Sequence, residues 1–351
     1  MEPVQLLGPD GTLNPDPAWP LEITPELCRE LHRRMSLARS FDDAALALQR
    51  QGELGLWLQS LGQEAAQVGS MLALRSTDHV FPSYREQAAA LCRGITPAEL
   101  LVQWRGNAHS GWDPARYRFH IYTLVLAAQL PHATGYAMGV QRDGTDEIVL
   151  AYFGDGATSQ GEANEAFNWA AAAEVPLLFF CQNNQWAIST PTRTQMRAPL
   201  HQRARGFGLD SHLVDGNDVL AVLAVTRAVA AQIRSGGGPA LIEAVTYRMA
   251  GHSTSDDPGR YRNQSELDSW SARDPIARLD ALLVDRGWAD AEYREELAAE
   301  CAALAEETRR VCREFGPVDV SGVFTSALAE QTPLLAEEQR NHEALVASYE
   351  D

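Results

Sequence analysis

Three short runs in this chain are almost continuously apolar. They are EIVLAYF at 147–153, VPLLFFC at 175–181 and GPALIEAVTYR at 238–248. A half-buried strand alternates apolar and polar residues. An unbroken apolar run instead marks a strand with both faces covered, as in a parallel sheet layered by helices. Between the first two runs, SQGEANEAFNWAAAAE at 159–174 has helical spacing, and Ser159 with Glu162 three residues on predicts a capping box. From residue 25 to about residue 75 the periodicity is again helical, with Thr24 as N-cap, Pro25 at the first helical position and Gly52 as a stop. From Asp274 onward apolar positions recur at helical spacing on a charged background, which reads as packing helices with a solvated face. The expected fold class is α/β: a parallel sheet covered by helices on both faces, with a helical C-terminal extension. The expected organisation is an extended arm at 1–24, rich in Pro, Gly and Asp, one α/β domain at 25–330 and a C-terminal tail at 331–351.

Composition narrows the partners. The 351 residues include 47 acidic and 29 basic side chains, a formal net charge of -18. Such a surface repels phosphate backbones and anionic lipid, so neither nucleic acid nor membrane is an expected partner. Cys28, Cys92, Cys181, Cys301 and Cys312 lack metal-type spacing and read as free thiols of a reducing compartment. The first residues show neither a secretory signal nor an Arg-rich presequence, and no apolar run reaches bilayer length. A cytoplasmic location is expected.

The chemistry concentrates at two strand ends. Gly154, Asp155 and Gly156 follow the first run at the expected start of a helix, where glycine lets backbone approach a ligand and helix-end amides favour phosphate. Asp155 would repel a phosphate unless a divalent cation sat between them. Mg²⁺ takes hard oxygen ligands and shares its shell between carboxylates and substrate phosphates. The second run ends at Asn183 and Asn184, which add neutral oxygen ligands. Ligands in such sheets bind at the carboxyl ends of strands. The two junctions therefore predict a Mg²⁺–diphosphate clamp.

Gly-Asp-Gly, an intervening helix and Asn-Asn resemble the thiamine diphosphate fingerprint. YFGDGATSQGEANEAFNWAAAAEVPLLFFCQNNQWAIST, HVFPSYREQAAAL and YRMAGHSTSDDPGRYR together resemble the α subunit of the decarboxylating (E1) component of 2-oxo acid dehydrogenase complexes, nearest the branched-chain type. The resemblance spans roughly residues 25 to 330. It implies that Asp155, Asn184 and the backbone carbonyl of Trp186 ligate Mg²⁺. It also implies that Tyr84, Arg85, Leu126, Gly154, Gly156, Ala157 and His252 contact thiamine diphosphate, with His252 also catalytic. Arg248, Asp256 and Tyr261 would order the loop that carries His252, and Ser253 stands where mitochondrial relatives are phosphorylated. The implied reaction is oxidative decarboxylation of a 2-oxo acid, with acyl transfer to a lipoyl group on the E2 core. The glutamate that activates the cofactor would come from a β subunit, implying an α2β2 assembly.

Some positions depart from the pattern. Leu124 and Ala128 replace hydroxyl residues around a monovalent cation, Gln182 replaces an Arg that reaches the phosphate, and His109 and His120 match no substrate-pocket position. Pyruvate or acetoin dehydrogenase α subunits, a silent scaffold of the same fold and a transketolase-like enzyme are the alternative readings.

Overall fold

The computed structural model describes residues 2–318 and 320–349. Met1 of the expected arm, Asp319 of the expected domain, and Glu350 and Asp351 of the expected tail lie outside them. Seven strands occur among the described residues: β1 His79–Phe81, β2 Val149–Gly154, β3 Leu177–Asn183, β4 Trp186–Ala187, β5 Thr190–Pro191, β6 Asp210–Asp215 and β7 Ala240–Val245. Five form one sheet in the order β1-β2-β3-β7-β6, and every neighbouring pair is parallel. β4 and β5 form a small antiparallel hairpin.

Side-chain alternation along the strands feeds two separate cores. Leu150, Tyr152, Leu178, Phe180 and Ile242 point to the face covered by helices Pro25–Arg50, Glu64–Leu72 and Val219–Arg234. Val149, Ala151, Phe153, Leu177, Phe179 and Leu241 point to the other, under helices Gln129–Asp143 and Gly161–Ala173. Each fully buried Leu or Phe contributes roughly 1.5–3 kcal/mol, so neither face of these strands tolerates a polar residue without a partner. Hence the continuous apolar runs.

Three local expectations need correction. Helix Pro25–Arg50 starts as expected, with Thr24 Oγ1 accepting from Leu27 N at 3.2 Å, but helix does not continue to residue 75. Residues 51–63 are irregular, and a second helix runs Glu64–Leu72. Gly62, at φ +90°, explains part of this, because a Cβ there would lie 2.6 Å from the Tyr247 carbonyl oxygen. Second, the capping box does not form: Ser159 ends a 3₁₀ turn, Asp155–Ser159, and Gln160 is the N-cap of Gly161–Ala173 without a side-chain bond. The turn closes on itself through Thr158 Oγ1 donating to Asp155 O at 2.7 Å. Third, Gly154 ends β2 while Asp155 and Gly156 open this turn, so the α-helix begins only at Gly161.

The N-terminal stretch is fastened to the body. Val4 bridges Val214 in parallel, and the backbone N–H groups of Leu6 and Leu7 donate to Asp218 Oδ2 at 2.6 and 2.7 Å. Asp218 also caps helix Val219–Arg234 through Leu220 N and Ala221 N. Arg278 donates to the carbonyls of Leu7 and Gly8. In the C-terminal region, helices Pro275–Asp285 and Ala291–Glu314 pack on Pro25–Arg50, while Pro333–Ala347 carries no buried residue. Among the described residues no helix is long and apolar enough to cross a membrane.

Candidate functional site

Because the sheet is parallel, the carboxyl ends of β1, β2, β3 and β7 open on the same edge, and the chain leaves each of them carrying polar residues. After β1 come Tyr84 and Arg85, after β2 Asp155, after β3 Asn184, and after β7 the loop to His252. These segments enclose a cavity of about 360 Å³. Tyr84, Arg85, Leu126, Gly154, Asp155, Gly156, Ala157, Asn184, Trp186 and His252, far apart in sequence, all line it.

Asp155 is 1 % exposed. Its Oδ2 accepts from Thr192 Oγ1 at 2.7 Å and Gln195 Nε2 at 2.9 Å. Both donors are neutral, and burial holds the carboxyl above its usual range. Asn184 donates through Nδ2 to Gln63 Oε1 at 3.1 Å and accepts at Oδ1 from Trp186 N at 3.2 Å. The turn between them places Gln185 at φ +71°, and the following hairpin places Ile188 at φ +54°. A β-branched residue in that region is an outlier and must be held there. The holder is the fully buried Arg248, which donates to Ile188 O at 2.7 Å and Trp186 O at 3.4 Å. The 3₁₀ turn after β2 lies against this hairpin, and a Cβ on Gly156 would meet Ala187 Cβ at 2.8 Å.

On the opposite wall, Arg85 donates to Gln59 O at 2.6 Å and His252 O at 2.7 Å, with its guanidinium 5.7 Å from the Tyr84 ring centroid. The His252 ring meets Tyr84 edge-on at 6.3 Å. Burial, then the Arg85 and Arg248 charges, push the imidazole down to about 4, so it is neutral at pH 7. Its loop is tied as the sequence suggests: His252 N and Tyr261 OH both donate to Asp256, and Arg248 bonds Tyr261 OH at 2.7 Å.

Sequence reasoning missed several neighbours. Glu86 lies in the wall, buried, accepting from Ser83 N at 2.8 Å and Gln182 Nε2 at 2.6 Å, and burial pushes its carboxyl up to about 7. Gln63 lines the cavity, and its Nε2 is buried without a hydrogen-bond partner. Thr192 and Gln195, which fix Asp155, carry no local signature. Gln182 lies in the lining, as does the half-exposed Leu124, whereas His109 and His120 do not. Leu56, Leu58, Leu124, Leu126 and Ile188 make part of the wall apolar.

The family described as Dehydrogenase E1 component matches residues 32–315. The chain is 43 % identical over 348 residues to 3-methyl-2-oxobutanoate dehydrogenase subunit alpha of Mycobacterium tuberculosis, covering 99 % of this chain and 95 % of that one. It is 35 % identical over 324 residues to the pyruvate dehydrogenase E1 component subunit alpha of Acholeplasma laidlawii, covering 92 % and 94 %. It is 40 % identical over 281 residues to the mitochondrial 2-oxoisovalerate dehydrogenase subunit alpha of Mus musculus, covering 76 % and 63 %. With the family match spanning most of the sheet and every segment around the cavity, the chain belongs to the dehydrogenase E1 component family.

Proposed function

We propose that this chain is the α subunit of a branched-chain 2-oxo acid dehydrogenase. It would act in the cytoplasm with a β subunit in an α2β2 assembly and pass acyl groups to a lipoyl-bearing E2 core. Residues 25–330 would form its thiamine diphosphate domain. The observation that carries the reading is that the buried Asp155, Asn184 and Trp186, whose carbonyl accepts from the buried Arg248, line one cavity together with Arg85.

The donor set fits Mg²⁺ with a diphosphate. Asp155, Asn184 and the Trp186 carbonyl are hard oxygen ligands of the kind Mg²⁺ takes. Asp155 is a buried carboxylate bonded to neutral donors alone, and a cation offsets that desolvation. The close approach of Gly156 to Ala187 leaves no room for a side chain between the turn and the hairpin. In this reading Asp155, Asn184 and Trp186 hold the metal, while Tyr84, Arg85, Leu126, Gly154, Gly156 and Ala157 hold the cofactor. Thiamine diphosphate supplies the electron sink for decarboxylation when bound. Arg85 is pre-oriented by two carbonyls, so little side-chain entropy remains to be lost when it meets a phosphate. His252, neutral at pH 7 and in the lining of the same cavity, would offer one ring N–H to donate and one ring nitrogen to accept.

The branched-chain substrate is supported by the 3-methyl-2-oxobutanoate and 2-oxoisovalerate relatives and by the aliphatic wall of Leu56, Leu58, Leu124, Leu126 and Ile188. The Acholeplasma relative keeps pyruvate as the second reading. Co-expression with the β subunit and E2, followed by NADH-coupled assays, separates them. A kcat/KM for 3-methyl-2-oxobutanoate above that for pyruvate is expected. The reverse order would move the chain to the pyruvate reading, and no turnover of either would remove both.

A further inference from the structure

Glu243 lies in the interior of β7, 2 % exposed, where a packed aliphatic residue would carry no desolvation cost. Three donors converge on its carboxylate. His201 gives its backbone N–H at 2.9 Å and its Nδ1 at 2.7 Å to Oε2, and Asn183 gives Nδ2 at 2.7 Å to Oε1. A carboxylate oxygen can only accept, so Nδ1 of His201 carries the hydrogen.

That bond fixes which way the Asn183 amide faces. With Nδ2 on Glu243, its Oδ1 faces the other way, accepting from Gln185 N at 3.1 Å and lying 3.3 Å from Thr192 Oγ1, whose single hydrogen it shares with the nearer Asp155. Both contacts bear on the candidate cation ligands. Gln185 is the left-handed residue of the turn that presents Asn184 and Trp186. Thr192 is one of the two donors that orient Asp155. Without the carboxylate the amide can rotate and place its NH₂ against the Gln185 N–H, donor against donor, so the turn loses its anchor.

We propose that Glu243 is a positioning residue for the cation site, acting through Asn183 on the Asn184–Trp186 turn and, through Thr192, on Asp155. The proposal rests on the reading that Asp155 and Asn184 hold Mg²⁺. Outer partners of metal ligands typically govern about 10–100-fold in metal affinity. A purely structural acid would govern stability alone.

The test is calorimetric titration of Mg²⁺ into the metal-stripped α2β2 complex with saturating thiamine diphosphate, paired with melting curves of the same samples. Wild type, E243Q, N183A and D155A are compared. E243Q keeps the volume but turns an NH₂ toward His201 or Asn183. N183A cuts the link while leaving the Glu243–His201 pair intact, so it reports even if E243Q fails to fold. Both are expected to weaken Mg²⁺ by about 10–100-fold, and adding T192V to N183A is expected to cost less than the sum of the two. If D155A abolishes Mg²⁺ binding while N183A and E243Q bind like wild type, whatever their melting temperatures, the positioning role is overturned and the cation reading stands. If D155A binds Mg²⁺ like wild type, the cation reading fails and this proposal with it.

Discussion

Asp155→Asn separates stability from cofactor binding. Asn keeps an oxygen for Thr192 Oγ1 and Gln195 Nε2, so the two bonds at 2.7 and 2.9 Å have an acceptor in the variant. What disappears is the charge, which burial works against in the metal-free protein. The metal-free variant should therefore melt slightly higher than wild type. Unfolding entropy is about 2.1 cal/mol/K per residue. For 351 residues that is about 0.7 kcal/mol/K, so each 1 kcal/mol moves the midpoint by roughly 1.4 °C. Ligand at a hundredfold excess over Kd stabilises by about 2.7 kcal/mol, or roughly 4 °C. A hundredfold loss of affinity removes nearly all of that shift. Differential scanning fluorimetry of the αβ complex, with and without thiamine diphosphate and Mg²⁺, should show the variant above wild type without ligand and below it with ligand. A variant that keeps the full 4 °C response would refute the assignment of Asp155 to the metal. One that melts several degrees lower without ligand would refute the argument that its charge is uncompensated.

Three further outcomes follow from the same geometry. Gly156→Ala forces a Cβ to 2.8 Å from Ala187 Cβ, so the 3₁₀ turn and the hairpin must separate; a cost of about 1–3 kcal/mol and weaker cofactor binding should appear in melting curves and calorimetry. His252 has a folded value of about 4 against about 6.5 unfolded, so its contribution to stability is present above pH 6.5 and lost as pH falls toward 4; His252→Gln should flatten the acid side of the stability profile measured by urea titration. Glu86 is shifted the other way, to about 7, so its contribution is present below its ordinary value and lost as pH rises through 7. Glu86→Gln should reduce the fall in melting temperature between pH 5 and 8.

How much of this was legible depended on whether a feature is local. β2, β3 and β7 stand out because two cores meet on them, leaving nearly every position apolar. β1 was missed because three residues, His79–Phe81, are too few to show a period, and β6 because Asp210–Asp215, at the sheet edge, mixes polar with apolar residues. The capping box failed because the 3₁₀ turn takes up Ser159 before the α-helix starts. Nine of the ten cavity residues could be named in advance because they stand in the three segments that carry the resemblance, while Leu126 lies outside them. Thr192, Gln195, Glu86 and Glu243 could not, since each acts through a partner far away in sequence. Thr192 meets Asp155 across 37 positions and Glu243 meets Asn183 across 60.

The fastening of Leu6 and Leu7 has a bearing on biosynthesis. These residues are made well before their partners: their amides donate to the carboxylate of Asp218, more than 200 positions later, and the carbonyl of Leu7 accepts from the guanidinium of Arg278. During translation this segment thus stays without these partners until Asp218 and Arg278 have been made. Its docking follows their synthesis and ties segments far apart along the nascent polypeptide into one unit.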